Sequence, residues 1–488
     1  MNAEQSTRRH FLKAAGIAAA ACAINPLTSI ARAAAARKPN VVLILVDDLG
    51  WADVGCYGST YYETPNIDRL AADGMRFTDG YAACAVCSPT RAAVMTGRYP
   101  ARLGVTDWIR SRFQGGAIPP NQKNPTEYVG GPNDKLLCPP NALWMEREEI
   151  TIAEALKPAG YTSCHIGKWH LGPDDWYPDK QGFDYNIGGC DYGQPPTYFD
   201  PYSRKGQGDI PTLPARKAGE YLTDREADEA AGFIAKHADR PFFLYMAHYA
   251  VHTPIQAKAD LTAKYQAKTP TDQNNARYAA MVESVDHAVG RIVDTLEQMG
   301  VADNTLVIFT SDNGGLLPVT SNLPLRSGKG YPYEGGIREP FIVKWPGKVK
   351  PSTECRVPVC SIDLFPTICR AAGVDLPQDR TIDGASILPL LSQTGGLERD
   401  ALIWHFPHYR GRDVVPYSII RSGDWKLIKR YEGKPFELYN LKDDLGEAVD
   451  LAEKHPEKVK ALNARLQEYL KRINAKLPRP NPNYAPKV

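Results

Sequence analysis

Three short apolar runs in this chain each stop on side chains that do chemistry. Asn40 to Val46 is a continuous β-branched run ending in Asp47-Asp48, Thr305 to Thr310 leads into Asp312-Asn313-Gly314, and Pro241 to Met246 leads to His248 and His252. An isolated acidic pair at a strand end reads as a turn. Together Asp47, Asp48, Asp312 and Asn313 form an all-oxygen donor set, which suits a hard divalent cation such as Ca2+ or Mg2+ better than zinc. A further segment, Cys84 to Arg91, puts a thiol beside a helix start: Ser88 fits an N-cap and Pro89 the first helical position. Cys87 is then expected just before a helix N-terminus, where free N–H groups favour anions, with Arg91 projecting back toward it from one turn in. A redox reading of Cys84 and Cys87 has no thioredoxin-like βαβ pattern around it.

The elements that must position these groups alternate strand and helix. Besides the three runs, helices are expected over residues 67–74, 88–96, 152–159, 224–237 and 276–299, the last with Met281, Val285, Val289, Ile292 and Leu296 at helical spacing. Alternation of this kind predicts an α/β fold with a large, mostly parallel sheet flanked by helices. In such sheets ligands bind outside the carboxyl ends of the strands, so the three runs predict one shared site. Residues 110–144 and 174–214, rich in Gly, Pro and aromatics, read as long ordered loops at its rim. After about residue 395 a hairpin turning at Gly423-Asp424, another strand at 436–440 and an amphipathic helix over 456–477 predict a smaller C-terminal antiparallel sheet plus helix. The expected organisation is a leader (1–33), a catalytic α/β domain (34–395) and that C-terminal subdomain (396–488). At its opening, His405 and His408 among Trp404, Phe406 and Tyr409 read either as junction packing or as a sugar subsite.

Lys+Arg 58 against Asp+Glu 56 gives a net charge of +2, which excludes the basic field of a nonspecific nucleic-acid binder. The head Arg8-Arg9, the alanine-rich run to Ile24 and the small residues Ala31-Arg32-Ala33 read as a cleaved twin-arginine export signal. Its apolar run is far short of the roughly 20 residues of a bilayer span. The chain is accordingly expected to engage the twin-arginine translocase, to end up periplasmic or secreted, and to insert stably in no membrane. Ten cysteines in 488 residues are too sparse for a disulfide framework and read mostly as buried thiols.

Cys87-Ser88-Pro89-Thr90-Arg91 followed by Ala92 to Arg98 resembles the signature of the type I sulfatases, arylsulfatase-like members of the alkaline phosphatase superfamily. The resemblance covers nearly the whole chain after the leader: Pro39-Asn40 with Asp47-Asp48, Gly167-Lys168-Trp169-His170-Leu171-Gly172, His252-Thr253-Pro254, Ser311 to Gly314, and Gly328-Lys329-Gly330 before residues 333–340. It implies that Cys87 is converted to Cα-formylglycine by a formylglycine-generating or sulfatase-maturating enzyme. It also implies that Asp47, Asp48, Cys87, Asp312 and Asn313 bind one Ca2+. One hydroxyl of the hydrated aldehyde would attack sulfur, Arg91 would stabilise the deprotonated hydrate, and Lys168 and Lys329 would neutralise the sulfate oxygens. His252, helped by Lys329, would protonate the leaving oxygen, while His170 would take the proton of the second hydroxyl as sulfate departs. The implied substrates are sulfated carbohydrates or aryl sulfates. A phosphodiester or phosphonate monoester hydrolase on the same scaffold, or a non-catalytic binder of sulfated glycans with Cys87 unconverted, are the alternatives.

Overall fold

The run Asn40–Val46 forms β1, the inner strand of an eight-stranded sheet, and every one of its seven residues is buried. Residues 38–110, 114, 122–206, 208–213, 217–411 and 413–485 are described by the computed structural model. The leader, Cys22, and parts of the 110–144 and 174–214 segments therefore lie outside the described residues, and the chain from Asn40 onward forms one unit.

The remaining strands of the sheet are β2 (Met75–Phe77), β3 (Thr162–Gly167), β4 (Tyr185–Ile187), β5 (Phe242–Ala247), β6 (Thr305–Ser311), β7 (Phe341–Lys344) and β8 (Thr353–Cys355). Their order is β8-β2-β7-β6-β1-β5-β3-β4, with only β7 antiparallel to its neighbours. Alternate residues of β1 serve two cores: Val42, Ile44 and Val46 face one hydrophobic cluster, Val41, Leu43 and Leu45 the other. Burial on both faces is why this run carries no polar alternation. One face is covered by α1 (Pro65–Ala72), α3 (Leu222–His237) and α4 (Ala276–Gln298), the other by α2 (Cys87–Thr96), through residues such as Ile67, Ile234 and Met281 on one side and Val94 on the other.

A four-stranded antiparallel sheet follows, β9 (Leu402–Phe406), β10 (Tyr417–Ser422), β11 (Trp425–Arg430) and β12 (Glu437–Asn440), covered by α5 (Pro456–Arg472) through Leu462, Leu466 and Leu470. The chain then returns, and Arg479–Pro480 pairs with Leu136–Leu137.

Three expectations need correcting. Strands β3 and β4 were not foreseen, and β4 lies within a segment expected to be loop. The final helix stops at Arg472 because Asn474 adopts a left-handed backbone conformation (φ 55°), which asparagine tolerates and a helix interior does not. Helix α2 begins at Cys87 itself, with Val86 as its N-cap. Ser88 does not cap it, because its Oγ accepts instead from the Ile109 N–H at 3.0 Å.

Candidate active site

Strand register brings the chemistry together. Val46 pairs with Ser311, so Asp47 and Asp312 leave adjacent strands at the same level, and Gly167 pairs with Ala247, so Lys168 emerges beside His248. Gly167 is required there: its φ is 91°, and a Cβ would lie 2.1 Å from the Ala247 carbonyl oxygen. The Gly328–Gly330 loop is tied to the Cys87 segment by the Gly330 N–H donating to the Ala85 carbonyl at 2.8 Å.

Cys87, Arg91, Lys168, His170, Lys329, Asp47, Asp48, Asp312 and Asn313 are all buried, and the His252 side chain is 12% exposed. Lys168 Nζ donates to Asp47 at 2.6 Å, Arg91 Nε donates to Asp312 at 2.8 Å, and Lys329 pairs with Asp48. Three carboxylates thus face three cations. Lys329 Nζ also lies 3.4 Å from Cys87 Sγ. Burial alone would raise the Cys87 thiol, but Lys168 and Lys329 reverse that and hold it well below the usual thiol range. The same geometry keeps Asp48 below the usual carboxylate range, since Lys329, His252 and Lys168 outweigh its burial.

The two histidines at Cys87 are shifted in opposite directions for local reasons. His170 is fully enclosed, and burial lowers it to about 4, so it is a neutral ring. Its Nε2 donates to the Ile109 carbonyl at 3.1 Å, which leaves Nδ1 as the acceptor nitrogen. His252 is pushed down by burial and by Lys329, yet Asp48 and Asp47 prevail and raise it above the usual imidazole value. Its Nε2 lies 3.6 Å from Asp48, and Nδ1 donates to the Thr253 carbonyl at 3.0 Å. The pocket therefore holds one basic and one acidic imidazole. His248 is apart from this chemistry, with Nδ1 2.7 Å from Glu226.

Asp47 Oδ1, Asp48 Oδ2 and Asn313 Oδ1 are buried and have no hydrogen-bond partner. An unsatisfied buried polar atom costs roughly 1–3 kcal/mol, and three hard oxygens left open in one place fit a divalent cation. Ligand atoms of Asp47, Asp48, Cys87 and His252 all lie within 4.8 Å of one another. Asp312 is more occupied than its neighbours, because its oxygens accept from Arg91 and from the Asp48 N–H at 3.2 Å. Asp48 itself is held at φ 63° and His170 at φ 58°, sparsely populated conformations of the kind that persist at functional sites.

A cavity of about 290 Å³ opens beside Cys87, His170 and His252 and is bounded by Trp108, Ile109, Arg110, Asp191, Tyr192, Gly193 and Gln194. Sequence reasoning did not single out Trp108, Arg110, Asp191 or Gln194. A larger groove of about 910 Å³ between α3 and α4 contains none of the site residues. His405 is not free to serve a sugar: Nδ1 meets Ser418 Oγ at 2.7 Å and Nε2 the Lys476 carbonyl at 3.1 Å. His408 is likewise buried, 2.8 Å from Thr106 Oγ1, so His405 packs against the C-terminal sheet and His408 packs at the junction with the Thr106 segment. No disulfide joins the described cysteines to one another, and burial pushes Cys84 up to about 12.

A family pattern described as "Sulfatase" matches residues 39–374. The chain belongs to the sulfatase family. It is a sulfuric ester hydrolase with the alkaline phosphatase fold. A second pattern, "N-sulphoglucosamine sulphohydrolase, C-terminal", matches residues 328–476 of this sulfatase. A "Sulfatase" of Formosa agariphila is 35% identical over 531 residues, covering 93% of this chain and 92% of its own. Human N-acetylgalactosamine-6-sulfatase is 37% identical over 407 residues, covering 79% of this chain and 71% of its own. The crystal structure of Ps i-CgsB in complex with k-i-k-neocarrahexaose superposes with a TM-score of 0.74 at 32% identity, covering 89% of this chain and 93% of that one. Among the described residues, no helix is long and apolar enough to cross a membrane.

Proposed function

We propose that this sulfatase hydrolyses sulfate monoesters on a sulfated glycan, with Cys87 converted to Cα-formylglycine and one Ca2+ held by Asp47, Asp48, Asp312, Asn313 and residue 87. The observation that carries this reading is the setting of Cys87, a buried first helical residue beside Lys329, among open carboxylate oxygens and two imidazoles whose basicities are shifted in opposite directions. When present, Ca2+ supplies Lewis acidity at a sulfate oxygen, and the hydrated aldehyde supplies a hydroxyl nucleophile where a thiol would stand.

This chain's own groups do the rest. Lys168 and Lys329 neutralise charge on the sulfate oxygens, and being buried and already paired they need little reorganisation to do so. Arg91, fixed by Asp312 and by the Lys168 carbonyl at 2.8 Å, stabilises negative charge at residue 87. His252 holds a proton at Nε2 for the departing alcohol oxygen, and His170 accepts one at Nδ1 from residue 87. The carbohydrate named in two of the relatives, N-acetylgalactosamine and neocarrahexaose, supports a glycan substrate over a simple aryl sulfate. Residues 1–33 are read as a twin-arginine leader directing the protein to the periplasm or beyond, 34–395 as the catalytic domain and 396–488 as the C-terminal subdomain.

Mass spectrometry of the tryptic peptide Phe77 to Arg91 from the native host, paired with turnover of aryl sulfate and aryl phosphate diester, tests this reading. An aldehyde at 87 with preference for the sulfate is expected. A thiol with no turnover supports the non-catalytic binder, and preference for the diester supports the phosphodiesterase.

A further inference from the structure

We propose that Arg110 and Asp191 form a clamp that reads the hydroxyls of the sulfated sugar ring, with Trp108 as its apolar wall. This rests on the sulfatase reading above and names the part of the substrate that reading leaves open. Besides Cys87, His170 and His252, the cavity beside Cys87 is lined by Trp108, Arg110, Asp191 and Gln194. These four have no task in the sulfate chemistry. At about 290 Å³ the space falls at the small end of ligand sites, enough for one sulfated ring and not for a stretch of polymer.

Asp191 and Arg110 are ion-paired, with side chains 11% and 31% exposed. Partly exposed pairs contribute little to stability, so fold maintenance gives no strong reason for this one to stand at the cavity. Arg110 Nε is buried without a hydrogen-bond partner and leaves a donor unspent. The Arg110 backbone is held at φ 69°, as that of His170 on the same cavity is at φ 58°, and its N–H donates to Gln114 Oε1 at 3.0 Å. The two charges cancel, so the pair adds no pull on a second sulfate. It offers instead a planar N–H fork beside carboxylate acceptors, which matches adjacent ring hydroxyls that both donate and accept. A ring carboxylate at that place would face Asp191. Trp108 is 43% exposed, with the Arg410 guanidinium 6.0 Å from its ring centre, and presents an indole on which sugar C–H groups can pack.

The test compares kcat/KM of the wild type, Asp191→Asn and Arg110→Gln on the best of a panel of neutral hexose monosulfates, on its analogue lacking the hydroxyl next to the sulfate ester, and on p-nitrophenyl sulfate. Thermal melting checks that each variant is folded. The wild type is expected to lose roughly 10- to 100-fold on deoxygenation, the range for hydrogen bonds to charged groups. Each variant should shrink that penalty to within about threefold and lower the sugar-to-aryl ratio at least about tenfold. A wild type indifferent to deoxygenation, a penalty that survives in both variants, or sugar and aryl turnover falling in equal proportion overturns the clamp. A wild type inert toward every sulfate ester overturns the sulfatase reading and the clamp with it; an active one with unchanged discrimination overturns the clamp alone.

Discussion

Lys426→Met removes the cation from a buried acidic pair and is predicted to destabilise the protein more at high pH than at low. Lys426 Nζ lies 2.8 Å from Glu334 and 2.8 Å from Glu447, and all three side chains are 0% exposed. Each contact amounts to roughly 6 kcal/mol of Coulomb energy at an effective dielectric of 20, largely offset by the desolvation of both ions. Without Lys426, Glu334 keeps Arg338 at 2.7 Å and the Tyr81 hydroxyl at 2.6 Å, whereas Glu447 keeps only the Glu334 N–H. Burial, with Glu334 nearby, already holds Glu447 above the usual carboxylate range even with Lys426 present. A folded-state value raised above the unfolded one means that stability is lost as pH rises from the ordinary glutamate value of 4.5. Wild-type Glu447, already raised to about 7, is mostly protonated at pH 6 and bears the same cost there as the variant; only above about pH 7 does keeping it protonated cost the variant about 1.4 kcal/mol more per pH unit. The expected loss is therefore about 3–5 kcal/mol at pH 8, the cost of breaking a buried ion pair, and smaller by about 1.4 kcal/mol at pH 6. Denaturant unfolding followed by tryptophan fluorescence at both pH values measures it. A loss under about 1 kcal/mol at pH 8, or a larger loss at pH 6, refutes the reasoning.

Other outcomes follow from the site and its surroundings. Cys87→Ala should lower aryl sulfate turnover by at least about 1,000-fold while leaving the melting temperature within a few degrees, because Cys87 adds one small buried side chain to the fold and the nucleophile to the reaction. Chelation followed by return of Ca2+ should abolish and restore activity, and saturating Ca2+ at roughly 1,000 times its Kd should add about 4 kcal/mol of stability; unchanged melting with and without the ion contradicts the open-oxygen argument. His405 is lowered to about 4 by burial, so the unfolded chain binds its proton first as pH falls. His405→Gln should remove about 1.4 kcal/mol per pH unit from the acid loss of stability between roughly pH 6.5 and 4, and acid unfolding curves that stay parallel in wild type and variant would count against it.

What could be read from the sequence follows the range of the interactions involved. The strands at Asn40, Phe242 and Thr305 were legible because a strand buried on both faces must be apolar throughout, and their polar endings were legible because parallel strands deliver their carboxyl ends to one edge. Strand β3 escaped because Thr162, Ser163, Cys164 and His165 do not look like buried sheet, although all but Thr162 are buried there. His165 is enclosed by Trp169, Phe183 and Tyr245, partners its local sequence does not announce. The start of α2 was misjudged by the same cause at smaller scale. A Ser-Pro pair is a good local cap, but a backbone N–H from residue 109 claimed the hydroxyl. The residues legible as a site were those tied to a strand end or to the resemblance; Arg110 and Asp191, brought together across 81 positions by two loops, were not. Loops that carry no period can only be placed by what they pack against. The residues proposed to meet the sugar stand on such loops, while those proposed to meet sulfate stand mostly at strand and helix ends. This division explains why the sequence speaks clearly about the bond that is broken and much less about the molecule that carries it.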